Sequence, residues 1–364
     1  MTRKKQKVAV GLSGGIDSSV TAAILLEQGY EVIGITMVKY DGPVFAEGPS
    51  RHSCYGPGEE KNIEAVSDIC KSLGIKYYPV DLRNEFREYV IEYFRRDYLA
   101  GRTPNPCIVC NEKIKFGFFL DKALESGIEF DLFSTGHYAR IDKKKGRYLL
   151  KRGKFREKDQ SYFLYSLSQR QLARALFPLG EYNKQVVREM ALSYRLSTYN
   201  RAESQDFIGD GNYSRLFTGD ESAEGEIVDT QGRVLGKHRG IIHFTIGQRK
   251  RIGIASSRPL YVIGLNASNN RVTVGRREEL LSKGLIARNV NWIIMDRLEG
   301  SYSVKAKIRY RHREADAIVA AYDENRVSVI FNEPQLSVTP GQSVVFYSGD
   351  TLLGGGVIEE SISH

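Results

Sequence analysis

Two short stretches carry side chains whose types and spacing could do chemistry. In the first, KVAVGLSGGIDSSV over residues 7–20, an apolar run breaks into adjacent glycines, an acid and paired hydroxyls. Gly11, Leu12, Ser13, Gly14 and Gly15 fit the G-x-S-x-G pattern of a nucleophile elbow, which would make Ser13 the attacking group. An elbow also needs an acid and then a histidine later in the chain, and His137 could nominally serve. The stretch contains more than an elbow requires. Small residues let successive backbone N–H groups converge on an anion, and the start of the following helix adds its partial positive charge. Ser13, Ser18 and Ser19 can donate to phosphate oxygens, and Asp17 suits a magnesium ion bridging them. The G-K-[ST] ending of a Walker loop and the G-x-G-x-x-G spacing are both absent. A phosphate cradle of another type is the better reading.

The second stretch, GRTPNPCIVCNEKIKF over residues 101–116, sets Cys107 and Cys110 in a C-x-x-C spacing. Pro104 and Pro106 push their predecessors into extended geometry, so the pair is expected on a rigid loop just before a helix. Arg102, Lys113 and Lys115 lie close in sequence, and the two thiols are expected to have lowered pKa values. A structural zinc site would need two more ligands, from among Cys54, Cys70 and His137, and a thioredoxin-like pair would leave the glycine loop idle. A third reading uses both stretches: the loop adenylates a carbonyl oxygen, and a cysteine-borne sulfur then displaces AMP.

The elements that must position these groups alternate. A strand at 7–12 runs into a helix, EVIGITMV is a second buried strand, and EEKNIEAVSDICKSL a helix ended by Gly74. IKYYPVDL, NEFREYVIEYFRRDYLAG and DLFSTGHYARI continue the pattern, which predicts a parallel, doubly wound α/β sheet with its ligands beyond the carboxyl ends of the strands. Residues 168–196 are expected to be helical, 41–58 a long loop above the sheet, and the second half short β modules. Domain boundaries are placed at 1–205, 206–285 and 286–364, the last a small β-barrel. Lys and Arg outnumber Asp and Glu by 53 to 44, which favours a polyanionic partner. No run approaches the roughly 18 apolar residues of a membrane span, and a cytoplasmic enzyme is expected.

GLSGGIDSSV resembles the PP-loop of ATP pyrophosphatases. Together with GRTPNPC-x-x-CN-x-x-IKF, STGHYAR, KDQSYFL, FTIGQRKRIG, KIRYRH and TPGQSVVFY, it resembles the tRNA-specific 2-thiouridylase family across nearly the whole chain. The resemblance implies a PP-loop α/β domain, a small central domain and a C-terminal β-barrel, with ATP-dependent thiolation of C2 of the wobble uridine in tRNA. It implies that Gly11, Leu12, Ser13, Gly14, Gly15, Ile16, Asp17, Ser18 and Ser19 bind ATP with Mg2+, and that Met37 and Gly136 line the adenosine pocket. Asn105, Pro106 and Cys107 would meet the target base. His137, Lys158, Asp159, Gln160, Arg309, Tyr310 and Gln342 would meet tRNA. A sulfur donor protein or inorganic sulfide is the expected second partner; oligomeric state is left open. An amide-forming PP-loop ligase, thiolation of another RNA uridine, and a non-catalytic RNA-binding protein are the alternatives.

The chain departs from the pattern in its thiols. Most of the family has an Asp at the position of Cys107 and a second cysteine in a segment resembling ES-x-D-[IV]-CF, where this chain has ESQDFIG; none of its four cysteines lies beyond residue 110. Either Cys107 and Cys110 work as a local persulfide pair, or Cys54, Cys107 and Cys110 hold a [4Fe-4S] cluster whose free iron binds the donated sulfur. The cluster is favoured of the two, with Cys70 assigned to the core.

Overall fold

The computed structural model describes residues 5–40, 42, 53–56, 58–199, 206–208, 213–217 and 223–363. Most of the expected 41–58 loop, and Glu203 to Gln205 of the ESQDFIG segment, lie outside the described residues. The chain divides into two compact units. One comprises Met1–Val90, Cys107–Asn212 and Asp350–Leu352, the other Ile91–Pro106, Tyr213–Gly349 and Leu353–His364.

The strands of the first unit are β1 (Lys7–Gly11), β2 (Glu31–Val38), β3 (Ser53–Tyr55), β4 (Lys76–Asp81), β5 (Leu132–Ser134), β6 (Ala139–Lys144), β7 (Arg147–Arg152), β8 (Ala175–Leu176) and β9 (Asp206–Ile208). Five of them form a parallel sheet in the order β4-β2-β1-β5-β8, as the alternation of elements predicts. Val8, Ala9 and Val10 of central β1 are wholly buried, the continuous apolar run expected of a strand covered on both faces. Pro79 is confined to edge strand β4, where its missing N–H costs no central ladder bond. Helix α1 (Ile16–Glu27) is buried along most of its length. It carries three hydroxyls at little cost because each bonds back to its own helix: Ser18 and Ser19 donate to the Gly15 carbonyl at 3.0 Å and Thr21 to the Asp17 carbonyl at 2.8 Å. Helix α2 (Glu59–Leu73) ends at Gly74 in the left-handed conformation, φ 66°. The chain passes outward from β1 to β2 and β4, then returns to β1's other side as β5. The order therefore reverses between β1 and β5, and the loops leaving those two strands are Gly11–Gly15 and Thr135–His137.

One part of this unit differs from expectation. Residues 168–196 are not one helical region: Gln169–Arg174 gives way to β8, which pairs with the sheet edge, before the helix Lys184–Ser193 begins. The lysine-rich KKKGRYLLKRGK run is the β6–β7 hairpin, turned through Lys145 and Gly146 at φ 51° and 80°.

The second unit holds β10 (Gly225–Val228), β11 (Val234–His238), β12 (Tyr261–Asn266) and β13 (Arg271–Gly275) in a four-stranded sheet. Strands β14 (Leu281–Trp292), β15 (Ser301–Lys307), β16 (Ala315–Ala321), β17 (Arg326–Leu336), β18 (Ser343–Ser348) and β19 (Thr351–Ile362) run β14-β17-β16-β15-β18-β19. Pairing of β14 with β19 closes them into a six-stranded barrel. Leu285, Val319, Val329, Val344, Phe346 and Ile358 fill its interior.

Candidate active site

The glycine–serine loop sits where the sheet order reverses. Gly14 takes φ 75°, which a side chain would disfavour. Gly15 caps α1 and, having no side chain, supplies no acceptor to the first N–H donors of the helix. Leu12 and Ile16 turn into the core and contribute only backbone. Of the three serines expected to meet phosphate, Ser19 is wholly buried and Ser18 nearly so, both hydroxyls donating to Gly15 O. Ser18 Oγ also accepts from Ser13 N–H at 3.3 Å. These two brace the loop from beneath, and Ser13 alone remains exposed. Gly136 lies directly against α1. A Cβ there would stand 2.9 Å from the Asp17 carbonyl carbon and Cβ, so only glycine permits the approach.

The Asp17 carboxylate is held by two residues that sequence reasoning missed. Tyr138 OH and Lys184 Nζ both donate to its Oδ1, each at 2.7 Å. Neither neighbours Asp17 in sequence; Tyr138 falls within STGHYAR, but nothing in the string pairs it or Lys184 with Asp17. The donor set fits a magnesium–nucleotide ligand: helix amides, a glycine cradle, one carboxylate and one ammonium.

The cysteine segment is not the rigid loop expected. Pro106 opens a helical turn, Pro106–Val109, so Cys107 and Cys110 lie one turn apart on a helix. The turn continues as a π-helix, Cys110–Phe118, broken at Gly117. Gln171 Nε2 donates to the Glu112 and Phe116 carbonyls at 2.9 and 3.0 Å and pins this wide turn. Cys107 is exposed and Cys110 buried. Burial pushes the Cys110 thiol up to about 12, against the pull of Lys115 and Lys39. The expected low-pKa thiolate is thus overturned for Cys110: desolvation outweighs the lysines. Burial works against the Lys39 ammonium, but Cys54, Glu59 and Cys110 together hold its pKa above the ordinary value. Its Nζ lies 3.1 Å from Glu59, and Glu59 also accepts from the Lys39 and Tyr40 N–H groups. His137 is kept neutral by burial and by Lys115, with Nδ1 2.7 Å from Thr135 Oγ1. Its ring lies 6.4 Å from that of Phe116 on the cysteine-bearing helix.

Cys54 and Cys107 both act electrostatically on the Cys110 thiol. Among the described residues, no three Cys, His, Asp or Glu side chains are grouped to hold one metal ion, and this covers Cys54, Cys107 and Cys110. Strand β3, which carries Cys54, pairs with β9 in a register that sets Tyr55 against Ile208. Ile208, buried, occupies the place of the cysteine in the ES-x-D-[IV]-CF pattern.

Three family models cover most of the sequence. They are described as a tRNA methyl transferase HUP domain (residues 6–210), a tRNA methyl transferase PRC-barrel domain (218–276) and an aminomethyltransferase beta-barrel domain (282–358). The tRNA-specific 2-thiouridylase MnmA of Carboxydothermus hydrogenoformans is 46% identical over 98% of this chain and 99% of its own. The chain belongs to the tRNA-specific 2-thiouridylase family. The MnmA of Acetivibrio thermocellus is 47% identical over 98% of this chain and 99% of its own. Among solved structures, a 4-thiouridine synthetase–RNA complex with bound ATP shows 19% identity and a TM-score of 0.33 over 56% of this chain and 46% of that one.

In this 2-thiouridylase-family chain, the residues expected to touch tRNA fall in both units. In the first, Gln160 exchanges two bonds with the Tyr138 backbone, at 3.0 and 2.9 Å, and so shapes the turn that carries His137. Lys158 is partly exposed. Asp159 is turned inward. It is buried, accepting from Gly153 N, Ser161 N and Ser161 Oγ, with Arg152 Nη1 at 3.7 Å. A carboxylate spent on internal donors orders its loop and presents nothing to a phosphate backbone. In the second unit, Gln342 is likewise turned inward, its amide donating to the Thr103 and Pro104 carbonyls at 3.0 and 3.3 Å. Asn105 N–H donates to Tyr93 OH, and Arg309 to the Leu336 carbonyl, both at 3.3 Å. The ring of Tyr310 stacks under Lys307, 5.4 Å away. Met37, beside Val80 at the end of β2, is half-buried.

Proposed function

We propose that the protein is an ATP-dependent tRNA sulfurtransferase that replaces O2 of the wobble uridine with sulfur. One observation carries this beyond family membership: the short Gly136–His137 turn packs on the phosphate loop through Gly136 and beside the Cys110 helix through His137. A single segment thus serves both an anion cradle and a buried thiol. Residues 1–205 would carry out the reaction, with 206–285 and 286–364 holding the tRNA.

Uridine O2 attacks the α-phosphorus of ATP, the bond to the β-phosphate breaks, and pyrophosphate leaves. The α1 amides and Ser13 stabilise the charge that develops. Magnesium, with Asp17 as its carboxylate, would neutralise part of the same charge. Adenylation makes C2 electrophilic, because AMP leaves far more readily than oxide. The terminal sulfur of a Cys110 persulfide attacks C2, and AMP departs with the former uridine oxygen. Cys107, one turn earlier, attacks the carrier sulfur; the thiouridine is released and a Cys107–Cys110 disulfide remains. Inorganic sulfide opening that disulfide regenerates persulfide and thiol; a donor protein's persulfide requires prior reduction by a thiol. The base must leave its stack to reach the site, which a single-stranded anticodon loop permits cheaply.

The test is nucleoside mass spectrometry of tRNA after incubation with ATP and a sulfur source. Wobble 2-thiouridine is expected, and its loss in Asp17→Ala and Cys110→Ala. Full activity in Cys110→Ala would refute the sulfur route and favour an amide-forming ligase. Sulfur on a different uridine would relocate the substrate, an outcome to which the missing downstream cysteine gives weight.

A further inference from the structure

We propose that Lys184 is a polyphosphate-binding residue of this site, held by Asp17 in the ligand-free chain and passed to a β- or γ-phosphate oxygen when MgATP enters. The proposal rests on reading Gly11–Ser19 as the nucleotide site and adds the cation that this loop lacks. No lysine or arginine occurs between Gly11 and Ser19. The partial charge of a helix terminus, about half an elementary charge, falls short of balancing a triphosphate.

Lys184 is placed to make up the difference. It opens the helix Lys184–Ser193, whose start is fixed by Asn183: the Asn183 side chain accepts from Val186 N–H at 2.8 Å. That helix packs on α1 through Ile16, Val20, Ile24, Val187 and Ala191, a single buried cluster that also includes Tyr138. The ammonium is thereby delivered by a rigid element and is only 11% exposed. Its bond to Asp17 goes to Oδ1, which already accepts from Tyr138, whereas no described residue donates to Oδ2. An incoming magnesium ion competes for Asp17 and an incoming phosphate competes for Lys184. The two ligand charges can therefore exchange partners without leaving a protein charge bare. Tyr138 keeps Asp17 oriented through the exchange.

The experiment is calorimetric titration of the full chain with MgATP and with AMP, for wild type, Lys184→Gln and Lys184→Arg, with melting curves of each. Removing one charge-assisted contact should weaken MgATP binding about tenfold to a hundredfold in Lys184→Gln. AMP affinity should change less than about threefold, and Lys184→Arg should hold MgATP within about fivefold. A role confined to bracing Asp17 would weaken ATP and AMP alike, and that result overturns the proposal. So does unchanged MgATP affinity in Lys184→Gln. If Lys184→Gln does not fold, Lys184→Arg decides: equal losses of ATP and AMP reject the proposal, and retained preference for ATP supports it. Wild-type protein that binds no MgATP would instead remove the nucleotide-site reading itself.

Discussion

Cys110 should be the slow thiol of this protein until a ligand opens its surroundings. Its thiol is pushed from an ordinary 9.0 to about 12, chiefly by burial. Three pKa units correspond to about 4 kcal/mol against the thiolate. At pH 8, a thiol titrating near 9 is about one-tenth ionised, and one titrating near 12 about one part in ten thousand. Since the thiolate is the nucleophile, iodoacetamide should label Cys110 about a thousandfold more slowly than an unperturbed thiol. The assay is a time course on Cys107→Ser and Cys110→Ser proteins, with labelled peptides quantified by mass spectrometry. The raised pKa also fixes a sign. The unfolded chain releases this proton near pH 9 and the folded chain near 12, so the stability contribution is whole below 9 and falls as pH rises through that window. Cys70, also pushed to about 12 by burial, adds the same trend. Each thiol contributes a slope of about 1.4 kcal/mol per pH unit. Labelling of Cys110 in the ligand-free native protein as fast as that of Cys107 would refute the burial argument.

Gly136→Ala should push the phosphate loop outward, because the added methyl meets main-chain atoms of Asp17 and Ser18 at 2.9 to 3.0 Å. MgATP affinity should fall by about tenfold or more while tRNA affinity changes little, as titration with each would show. Asp159→Asn leaves Arg152, 1% exposed, facing a neutral partner. The loss should be about 1–3 kcal/mol, read from denaturant unfolding, with tRNA binding affected only through stability. His137 is held neutral by burial and by Lys115. Its depressed pKa makes its contribution whole above about 6.5 and lost as pH falls below that. His137→Gln should therefore flatten the acid limb of stability between pH 6.5 and 5, measured as urea midpoints.

The chemistry was most legible where it is carried by backbone and by local spacing. SGGIDSS marks the loop because glycines and small hydroxyls are required by the turn itself, and EVIGITMV and EEKNIEAVSDICKSL match β2 and α2 because their apolar periods are unambiguous. What the sequence could not reveal depends on partners distant along the chain. Lys184 meets Asp17 across 167 residues and Tyr138 across 121, and nothing near either lysine or tyrosine announces it. The thiol reading failed for a related reason: neighbouring lysines are visible in a string of letters, whereas the burial that outweighs them is not. The resemblance sets Asp159 and Gln342 against tRNA, yet each side chain spends its polarity on the protein's own donors or carbonyls, which a string of letters does not reveal.

The clasp between the Gln342 turn and the stretch leading to Cys107 has a practical consequence. Thr103 N–H donates to the Pro340 carbonyl at 2.9 Å, Gln342 holds the Thr103 and Pro104 carbonyls, and Gly341 leaves no room for a methyl against Thr103. The carboxy-terminal barrel therefore splints residues 103–104, the extended stretch just before Pro106. A protein truncated before that barrel would lose this splint and also Asp350, whose carboxylate pairs with Arg140 and Arg156 of the first unit. The full chain is thus the form in which both nucleotide binding and sulfur transfer are to be measured.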